Sequence, residues 1–241
     1  MTLGDDRIAR FARQLLVPGF GEAAQERLAA ARVRAVGADG AASPALTYLV
    51  QAGVGRLWID DPEQISPADA GGWLYGQPAV GSTRVSAARE ALRALSRFCE
   101  VEAYPVGGVP TAAIVAAPSV AQALHAAEAS RRARIPHVVI EPDADGGAVV
   151  SVPPGAPCYA CARSTTGAGR PPLPGAAALA ALAAGELVQM IASPGAIAGR
   201  RLDLVRGVVT ARPTTRLAGC ACGAATGAQS PGVQGAVAPG D

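Results

Sequence analysis

The chain has 241 residues, of which 50% are hydrophobic, and its formal net charge is +2. A chain of this length and composition buries a large core, and its balanced charge favours neither nucleic acid nor a membrane surface as a partner. Apart from two histidines, every basic side chain is arginine, so the sequence excludes a Schiff-base lysine and a P-loop lysine.

Two helices are predicted before the first strand. The first covers residues 7–17, with Asp5 or Asp6 as its N-cap. Its apolar positions fall near one face and are Ile8, Phe11, Leu15 and Leu16. The second helix covers residues 21–31 and follows a Pro–Gly break.

Residues 32–61 predict a β-α-β unit with a nucleotide-type turn after its first strand. In such a turn glycines, here Gly37 and Gly40, let the backbone approach a phosphate at the helix N-terminus. An acid at the end of the second strand, here Asp61, can accept from a ribose hydroxyl. The dinucleotide pattern expects glycine where Asp39 and Ala42 stand. On this pattern alone, a nucleotide site and a purely structural turn remain equal alternatives.

The remaining elements alternate between strands and helices. A glycine- and proline-rich loop is predicted over 62–79, helices over 80–98, 120–134 and 176–192, and strands over 101–106, 112–117, 135–140 and 148–152. A closing hairpin over 202–211 is centred on Arg206 and Gly207. This order predicts an α/β fold with a doubly wound, mainly parallel, Rossmann-like sheet. Residues 1–222 form one domain in this interpretation, and 223–241 form a disordered tail.

Four cysteines are spaced as two half-sites. Cys158 and Cys161 form a C-x-x-C pair, and Cys220 and Cys222 form a C-x-C pair. Four thiolates from two tight turns suit a tetrahedral Zn²⁺ ion, although C-x-C is the harder half-site. The alternative is four unrelated core cysteines. Zinc is favoured, and four thiolates leave no open position, so the ion would be structural and would pin the C-terminal hairpin.

Other features give little indication of catalysis. Cys99, His125 and His137 are isolated and are interpreted as structural, and no G-x-S-x-G motif is present. The N-terminus is not that of a signal peptide, and no uninterrupted apolar run reaches the roughly 18 residues of a membrane span. The Ala-rich segment 175–192 comes closest, but Glu186 and Gln189 interrupt it. We therefore expect a cytoplasmic protein with reduced thiols.

Several short motifs recur in one order along the chain. They are Arg10-Phe11-Ala12-Arg13-Gln14, Phe20-Gly21, the turn after the first strand, Ala52-Gly53-Val54-Gly55, Val80-Gly81-Ser82-Thr83-Arg84-Val85, Ile135-Pro136 and the first cysteine pair. No single motif is specific, but their order and spacing resemble those of the ThiF/MoeB/HesA family, the bacterial relatives of ubiquitin-activating enzymes. The resemblance extends from about residue 7 to residue 222.

The resemblance implies a function. Members of that family use ATP and Mg²⁺ to adenylate the C-terminal glycine of a ubiquitin-like sulfur carrier, usually as homodimers with a four-cysteine zinc site. Position by position, Gly37 and Gly40 correspond to the phosphate turn and Asp61 to the ribose acid. Arg84 takes the place of a catalytic lysine. Arg13 corresponds to an arginine that the partner subunit donates.

The sequence also departs from the family pattern. Gly72 stands where a loop arginine is expected, Asp69 in place of a loop asparagine, and Pro118 where an aspartate holds the metal. Together with Asp39 in the turn, these changes imply that adenylation is weakened or lost. The alternatives are an active adenylyltransferase, a non-catalytic scaffold or heteromeric partner of a carrier or other biosynthetic protein, and a Rossmann oxidoreductase. The last leaves the N-terminal motif and the cysteines without a role.

Overall fold

The computed structural model describes residues 3–163 and 173–223. Eight strands form one sheet with the order β3-β2-β1-β4-β5-β6-β7-β8. The strands are β1 (Arg32–Val36), β2 (Arg56–Asp60), β3 (Glu100–Ala103), β4 (Ala112–Val115), β5 (His137–Asp143), β6 (Gly146–Val152), β7 (Arg200–Val205) and β8 (Val208–Pro213). β1 to β5 are parallel, whereas β6, β7 and β8 join by antiparallel pairing. The predicted α/β fold with a mainly parallel sheet is confirmed.

Seven α-helices lie within the described residues. They are α1 (Asp5–Leu15), α2 (Gly21–Ala30), α3 (Ala42–Ala52), α4 (Arg84–Arg93), α5 (Val120–Arg132), the single turn α6 (Tyr159–Ala162) and α7 (Leu173–Ala192). α4 is shorter than the predicted 80–98. It begins later because the Thr83 hydroxyl caps it, accepting from the Ser86 N–H, and it ends at Arg93. The predicted tail and the loop at 167–172 lie outside the described residues.

The helices build a core on each face of the sheet. α3, α4 and α7 bury one face through residues such as Leu46, Leu92 and Leu187. α5 and α6 cover β4, β5 and β6 on the other, where Val139 and Val150 are fully buried. Toward β1–β3 that second face carries polar and aromatic side chains, with Arg34 stacked 4.5 Å above the Tyr104 ring.

Two details of α1 differ from the prediction. Its N-cap is Gly4, and no side-chain hydrogen bond caps it, so neither Asp5 nor Asp6 has that role. Of the predicted apolar face, Phe11 is buried, whereas Ile8 is 38% and Leu16 83% exposed. The helix therefore makes few contacts with its own core and leaves an apolar edge at the surface.

α7 is the central helix of the larger core. Its segment Pro174–Ala192 is long and apolar enough to cross a membrane by length and composition, although the sequence interpretation excluded such a span. In this fold α7 instead packs against α3, β5 and β6. Its Glu186 is buried, accepting from the Ser151 hydroxyl at 2.7 Å and from Arg200 Nε at 2.8 Å.

Candidate functional site

A pocket of about 1330 Å³ opens at the carboxyl ends of β1, β4 and β5. The strand order reverses between β1 and β4, and ligands of open α/β sheets bind at such a switch point. Its walls include Gly40, Asp39 and Ser43 from the turn after β1, and Pro118 after β4. The β-α-β unit therefore forms one end of the pocket, as the nucleotide interpretation requires.

The turn after β1 depends on Gly37. Its φ is +90°, and a Cβ there would lie 2.4 Å from the carbonyl oxygen of Ala116. The carbonyl of Ala38 accepts from the Tyr75 hydroxyl at 2.6 Å and from the Ser43 hydroxyl at 2.9 Å. These bonds hold the turn in one conformation at the floor of the pocket.

Asp61 lies beneath this turn and is almost fully buried. Its Oδ2 accepts from the Ala38 N–H at 2.9 Å, and its Oδ1 accepts from the Glu63 N–H at 3.0 Å. Arg84 Nη1 lies 3.2 Å from Oδ2. The carboxylate that the resemblance assigns to a ribose thus already has three partners within the protein.

Arg84 is surrounded by carboxylates. Besides Asp61, its Nη2 lies 3.3 Å from Asp39 Oδ2 and 3.2 Å from Asp69 Oδ2. Burial tends to lower the pKa of the guanidinium, but the carboxylates of Asp39 and Asp61 raise it above its ordinary value, so Arg84 stays charged. The charge of Arg84, which the resemblance places at the position of a catalytic lysine, is thus compensated by carboxylates inside the protein.

Asp69 comes from the loop between β2 and α4. Burial tends to raise the pKa of its carboxyl, but the Ser66 N–H, the Ser66 hydroxyl and Arg84 lower it below its ordinary value. Both Ser66 donors lie 2.9 Å from Asp69 Oδ2. Burial, together with Asp61, raises the pKa of the nearby Tyr75 hydroxyl, so it remains a neutral donor.

The opposite end of the pocket carries a second ionic network, which the sequence did not indicate. Arg201 is buried between Glu141 and Asp203, and its Nε lies 2.7 Å from Asp203 Oδ1. Arg212 Nε lies 2.9 Å from Asp203 Oδ2. These residues come from β5, β7 and β8, so only the antiparallel pairing brings them together. The signal in the sequence that could have pointed to this network is Arg201, an arginine beside the apolar residues of β7.

The predicted site residues other than the cysteines lie in two places, at the pocket and on α1. Gly40, Gly72 and Pro118 line the pocket wall. Asp61 and Arg84 lie behind that wall and are connected to it through the Ala38 N–H and through Asp39 and Asp69. Arg13 is exposed on α1, so its expected role would require a second subunit. Its neighbour Gln14 anchors the helix, because its Nε2 donates to Gln25 Oε1 at 2.7 Å and to the Ala52 carbonyl at 2.9 Å.

The four cysteines lie together beside α6. Sulfur–sulfur distances are 3.7 Å from Cys158 to Cys161, 3.6 Å from Cys158 to Cys220 and 3.7 Å from Cys161 to Cys222. All four sulfurs lie within 4.8 Å of one another. Four sulfurs placed tetrahedrally about 2.3 Å from one ion are separated by about 3.8 Å, so the cluster has the dimensions of a zinc site.

The sequence and the fold of this chain are similar to those of known proteins. Residues 11–220 match the ThiF family. The chain belongs to the ThiF family. The match includes residues 11–14 of the N-terminal motif, the residues that line the pocket and the first three cysteines of the cluster.

Curated relatives of this ThiF-family chain are adenylating enzymes by name. The mouse adenylyltransferase and sulfurtransferase MOCS3 is 41% identical over 105 residues, which are 43% of this chain and 23% of that protein. The sulfur carrier protein adenylyltransferase of Thermus thermophilus is 38% identical over 102 residues, 42% of this chain and 38% of that protein. The chain thus aligns with well under half of the length of either relative.

Solved structures share the fold. Escherichia coli MccB with ATP superposes with a TM-score of 0.75 at 16% identity, covering 91% of this chain and 74% of that one. PaaA gives a TM-score of 0.70 at 17% identity, over 88% of this chain and 74% of that one. At this identity the likeness extends to the fold alone.

Proposed function

We propose that this ThiF-family chain binds the C-terminal segment of a partner polypeptide and adenylates it weakly or not at all. The partner would be a ubiquitin-like sulfur carrier or another biosynthetic protein. The pocket, whose volume is about 1330 Å³, has room for such a segment. The name of the Thermus relative specifies a sulfur carrier, and MccB is known in complex with MccA, which makes a polypeptide the best-supported class of ligand.

The observation that carries the proposal is the composition of the pocket wall. Attack of a carboxylate on the α-phosphorus of ATP requires cations that neutralise the triphosphate and assist the departure of pyrophosphate. At the pocket positions where the family pattern has an arginine and a metal-binding aspartate, this chain has Gly72 and Pro118. Neither side chain can contact phosphate or coordinate Mg²⁺. These two positions therefore supply neither the cation nor the metal ligand that the family pattern places there.

The composition of the pocket wall also argues against the alternative that the chain is an active adenylyltransferase. Loss of a single phosphate-clamping arginine can cost about 10³-fold or more in rate. Here the nearby Arg84 already pairs with three aspartates, so it does not replace the missing cation. The Rossmann oxidoreductase alternative has less support still, because the ThiF match includes residues 11–14 of the N-terminal motif and three of the cysteines.

We propose that the cysteine cluster holds one structural Zn²⁺ ion bound by Cys158, Cys161, Cys220 and Cys222. The sulfur separations of 3.6 to 3.7 Å support this assignment, because they fit the tetrahedron of a four-thiolate site. The ion would connect the α6 turn to the segment after β8. It would stabilise the end of the pocket that contains Arg201 and would take no part in a reaction.

We further propose that two subunits assemble. The protein would act in the cytoplasm, and neither nucleic acid nor a membrane would be its partner. Exposed apolar residues at the end of α1 support it, since Leu16 is 83% and Val17 52% exposed. Arg13 lies on the same helix and would reach the pocket of a neighbouring copy or of a related subunit. Whether that partner is identical to this chain is an outcome that light scattering would decide.

The test is ATP–pyrophosphate exchange with the purified chain and a panel of candidate carriers. A ThiF-family adenylyltransferase assayed with its own carrier serves as the positive control. We expect exchange at least about 10³-fold below that control, together with carrier binding in a pull-down or by calorimetry. Exchange at a rate comparable to that of the control would refute the loss of activity. Absence of binding to every carrier or peptide C-terminus would refute the polypeptide ligand.

A further inference from the structure

The end of the pocket that the β-α-β unit forms contains three carboxylates of the protein itself. Asp39, Asp61 and Asp69 surround the single guanidinium of Arg84, with N–O distances between 3.2 and 3.3 Å. Three carboxylates against one cation leave this cluster with a net negative charge. A polyphosphate entering here would meet repulsion in place of a free cation, because Coulomb interactions in a partly buried site are weakly screened.

The three carboxylates are not equivalent. Asp61 is held by the Ala38 and Glu63 N–H groups, and Asp69 by Ser66, so both also serve the local structure. Their side chains are 4% exposed, whereas that of Asp39 is 26% exposed and lines the pocket. Asp39 is therefore the carboxylate that an incoming ligand would meet first.

Asp39 also lies just before α3, two residues ahead of its N-cap Ala41. Free N–H groups and the positive dipole end make a helix N-terminus an anion site. In this chain the Asp39 carbonyl accepts from the Ala42 N–H at 2.7 Å and from the Ser43 N–H at 3.3 Å. Its backbone thus satisfies two donors of that terminus while its carboxylate pairs with Arg84.

We propose that Asp39 is a specificity-determining residue that excludes phosphate from this pocket by supplying the negative charge which a nucleotide would bring. The inference rests on the proposed function and deepens it. Polypeptide segments without phosphate would enter, and polyphosphates would be rejected before any chemistry could begin. Asp69 contributes to the same effect, because it is a second carboxylate paired with Arg84 Nη2.

The experiment measures binding of inorganic pyrophosphate, without metal, by calorimetry. The wild-type chain is compared with Asp39→Asn and with the double variant Asp39→Asn/Asp69→Asn, which remove one and two negative charges from around Arg84. We expect no measurable binding to the wild type at millimolar pyrophosphate. Asp39→Asn should bind pyrophosphate measurably in that range, and the double variant should bind it about tenfold more tightly than the single variant, with a steep dependence on salt. No gain in either variant would overturn the proposal.

Two control variants test whether the gain in pyrophosphate affinity arises at the Arg84 cluster. Asp143→Asn removes one carboxylate from another part of the pocket wall and should, like the wild type, show no measurable binding. A gain equal to that of Asp39→Asn would mean that total charge, and not the Arg84 cluster, excludes phosphate. Adding Arg84→Gln to the double variant should abolish the gained binding, and binding that persists would contradict the assignment.

A second variant guards against misfolding. Asp39→Gly introduces the residue type that the nucleotide-turn pattern expects at this position. It should gain affinity like Asp39→Asn, with an unchanged circular dichroism spectrum. The outcome is separable from that of the proposed function: ATP exchange by the wild type would refute weak adenylation, whereas equal pyrophosphate affinity in the wild type and the Asp39 variants would refute only the role of Asp39.

Discussion

Gly37 and Ala116 approach each other so closely that no side chain fits between them. A Cβ on Gly37 would lie 2.4 Å from the Ala116 carbonyl oxygen, and the φ of Gly37 is +90°. The contact joins the turn after β1 to the end of β4, the two strands that flank the switch point of the sheet. The shape of the pocket floor therefore depends on a glycine even if no phosphate ever binds there.

Gly37→Ala should destabilise the chain by about 3 kcal/mol, combining a left-handed backbone with the clash against Ala116. Gly81→Ala is the matched control, because Gly81 has a φ of +87° and nothing within 4 Å of its ideal Cβ position. We expect about 1–2 kcal/mol there. Urea denaturation measures both, and equal losses would show that the close contact is relieved at no cost.

Adjacent residues of the N-terminal motif should behave differently. Gln14→Ala leaves Gln25, which is fully buried, without its donor and should cost about 1–3 kcal/mol. Arg13→Ala on the exposed side of α1 should change stability by less than about 0.5 kcal/mol. Thermal denaturation of the two variants makes the comparison. A large loss in Arg13→Ala would mean that this side chain supports the fold of its own subunit.

Local patterns were sufficient to predict most of the fold. The β-α-β unit, the parallel strands and the turn at Arg206 and Gly207 follow from short apolar runs and from the residues that break them. The antiparallel pairing of β7 with β8 was predicted as a hairpin, but that of β6 with β5 and with β7 was not, because strand periodicity carries no information on direction. The exposure of Leu16 was missed for a related reason: helical spacing identifies an apolar edge but not what covers it.

The candidate site was only partly predictable. The turn and Asp61 could be located from spacing, and the four cysteines do lie together. That Arg84 pairs with three aspartates could not be read from the sequence, because Asp39 comes from the turn after β1, Asp61 and Asp69 come from the long loop after β2, and the paths of both segments depend on packing. The ionic network around Arg201 joins β5 to the β7–β8 hairpin, and Arg201 and its partner Glu141 are 60 residues apart in the chain. Such contacts are properties of the tertiary structure.

The ion pair between Glu186 and Arg200 should contribute more than a surface pair. Glu186→Gln weakens a buried carboxylate that accepts from Arg200 and Ser151, and we expect a loss of about 1–3 kcal/mol. Glu100→Gln removes an exposed partner of Arg56 and should cost less than about 1 kcal/mol. Urea denaturation compares them, and similar losses would contradict a role for Glu186 in fixing α7 to the sheet.

The zinc proposal predicts one ion per chain by atomic absorption. Cys222→Ser should lose most of the metal and lower the melting temperature, because the segment after β8 is then no longer tied to α6. Cys99→Ala is the control, since Cys99 is also buried but lies outside the cluster, so it should keep one zinc even if it melts earlier. Full metal content in Cys222→Ser, or none in the wild type, would contradict a four-cysteine site.

His137 should make stability depend on pH. Its ring is 1% exposed, its Nδ1 lies 3.1 Å from the Ile135 carbonyl, and its Nε2 has no partner among the described residues. Burial lowers its pKa to about 4, with Arg131 lowering it further and the Ile135 carbonyl and Glu128 opposing the shift. Between pH 6.5 and 4 the unfolded chain therefore binds a proton that the folded chain does not, so stability falls as the pH falls.

That contribution is at most roughly 3 kcal/mol across the window, and it should disappear in His137→Gln. Urea denaturation at a series of pH values gives the slope for each variant. His125→Gln, which changes an exposed histidine on α5, should retain the wild-type slope. Comparing the slopes of variants also cancels any acid-induced release of metal that they share. An unchanged slope in His137→Gln would mean that other groups carry the acid sensitivity and that the buried imidazole accepts its proton at little cost.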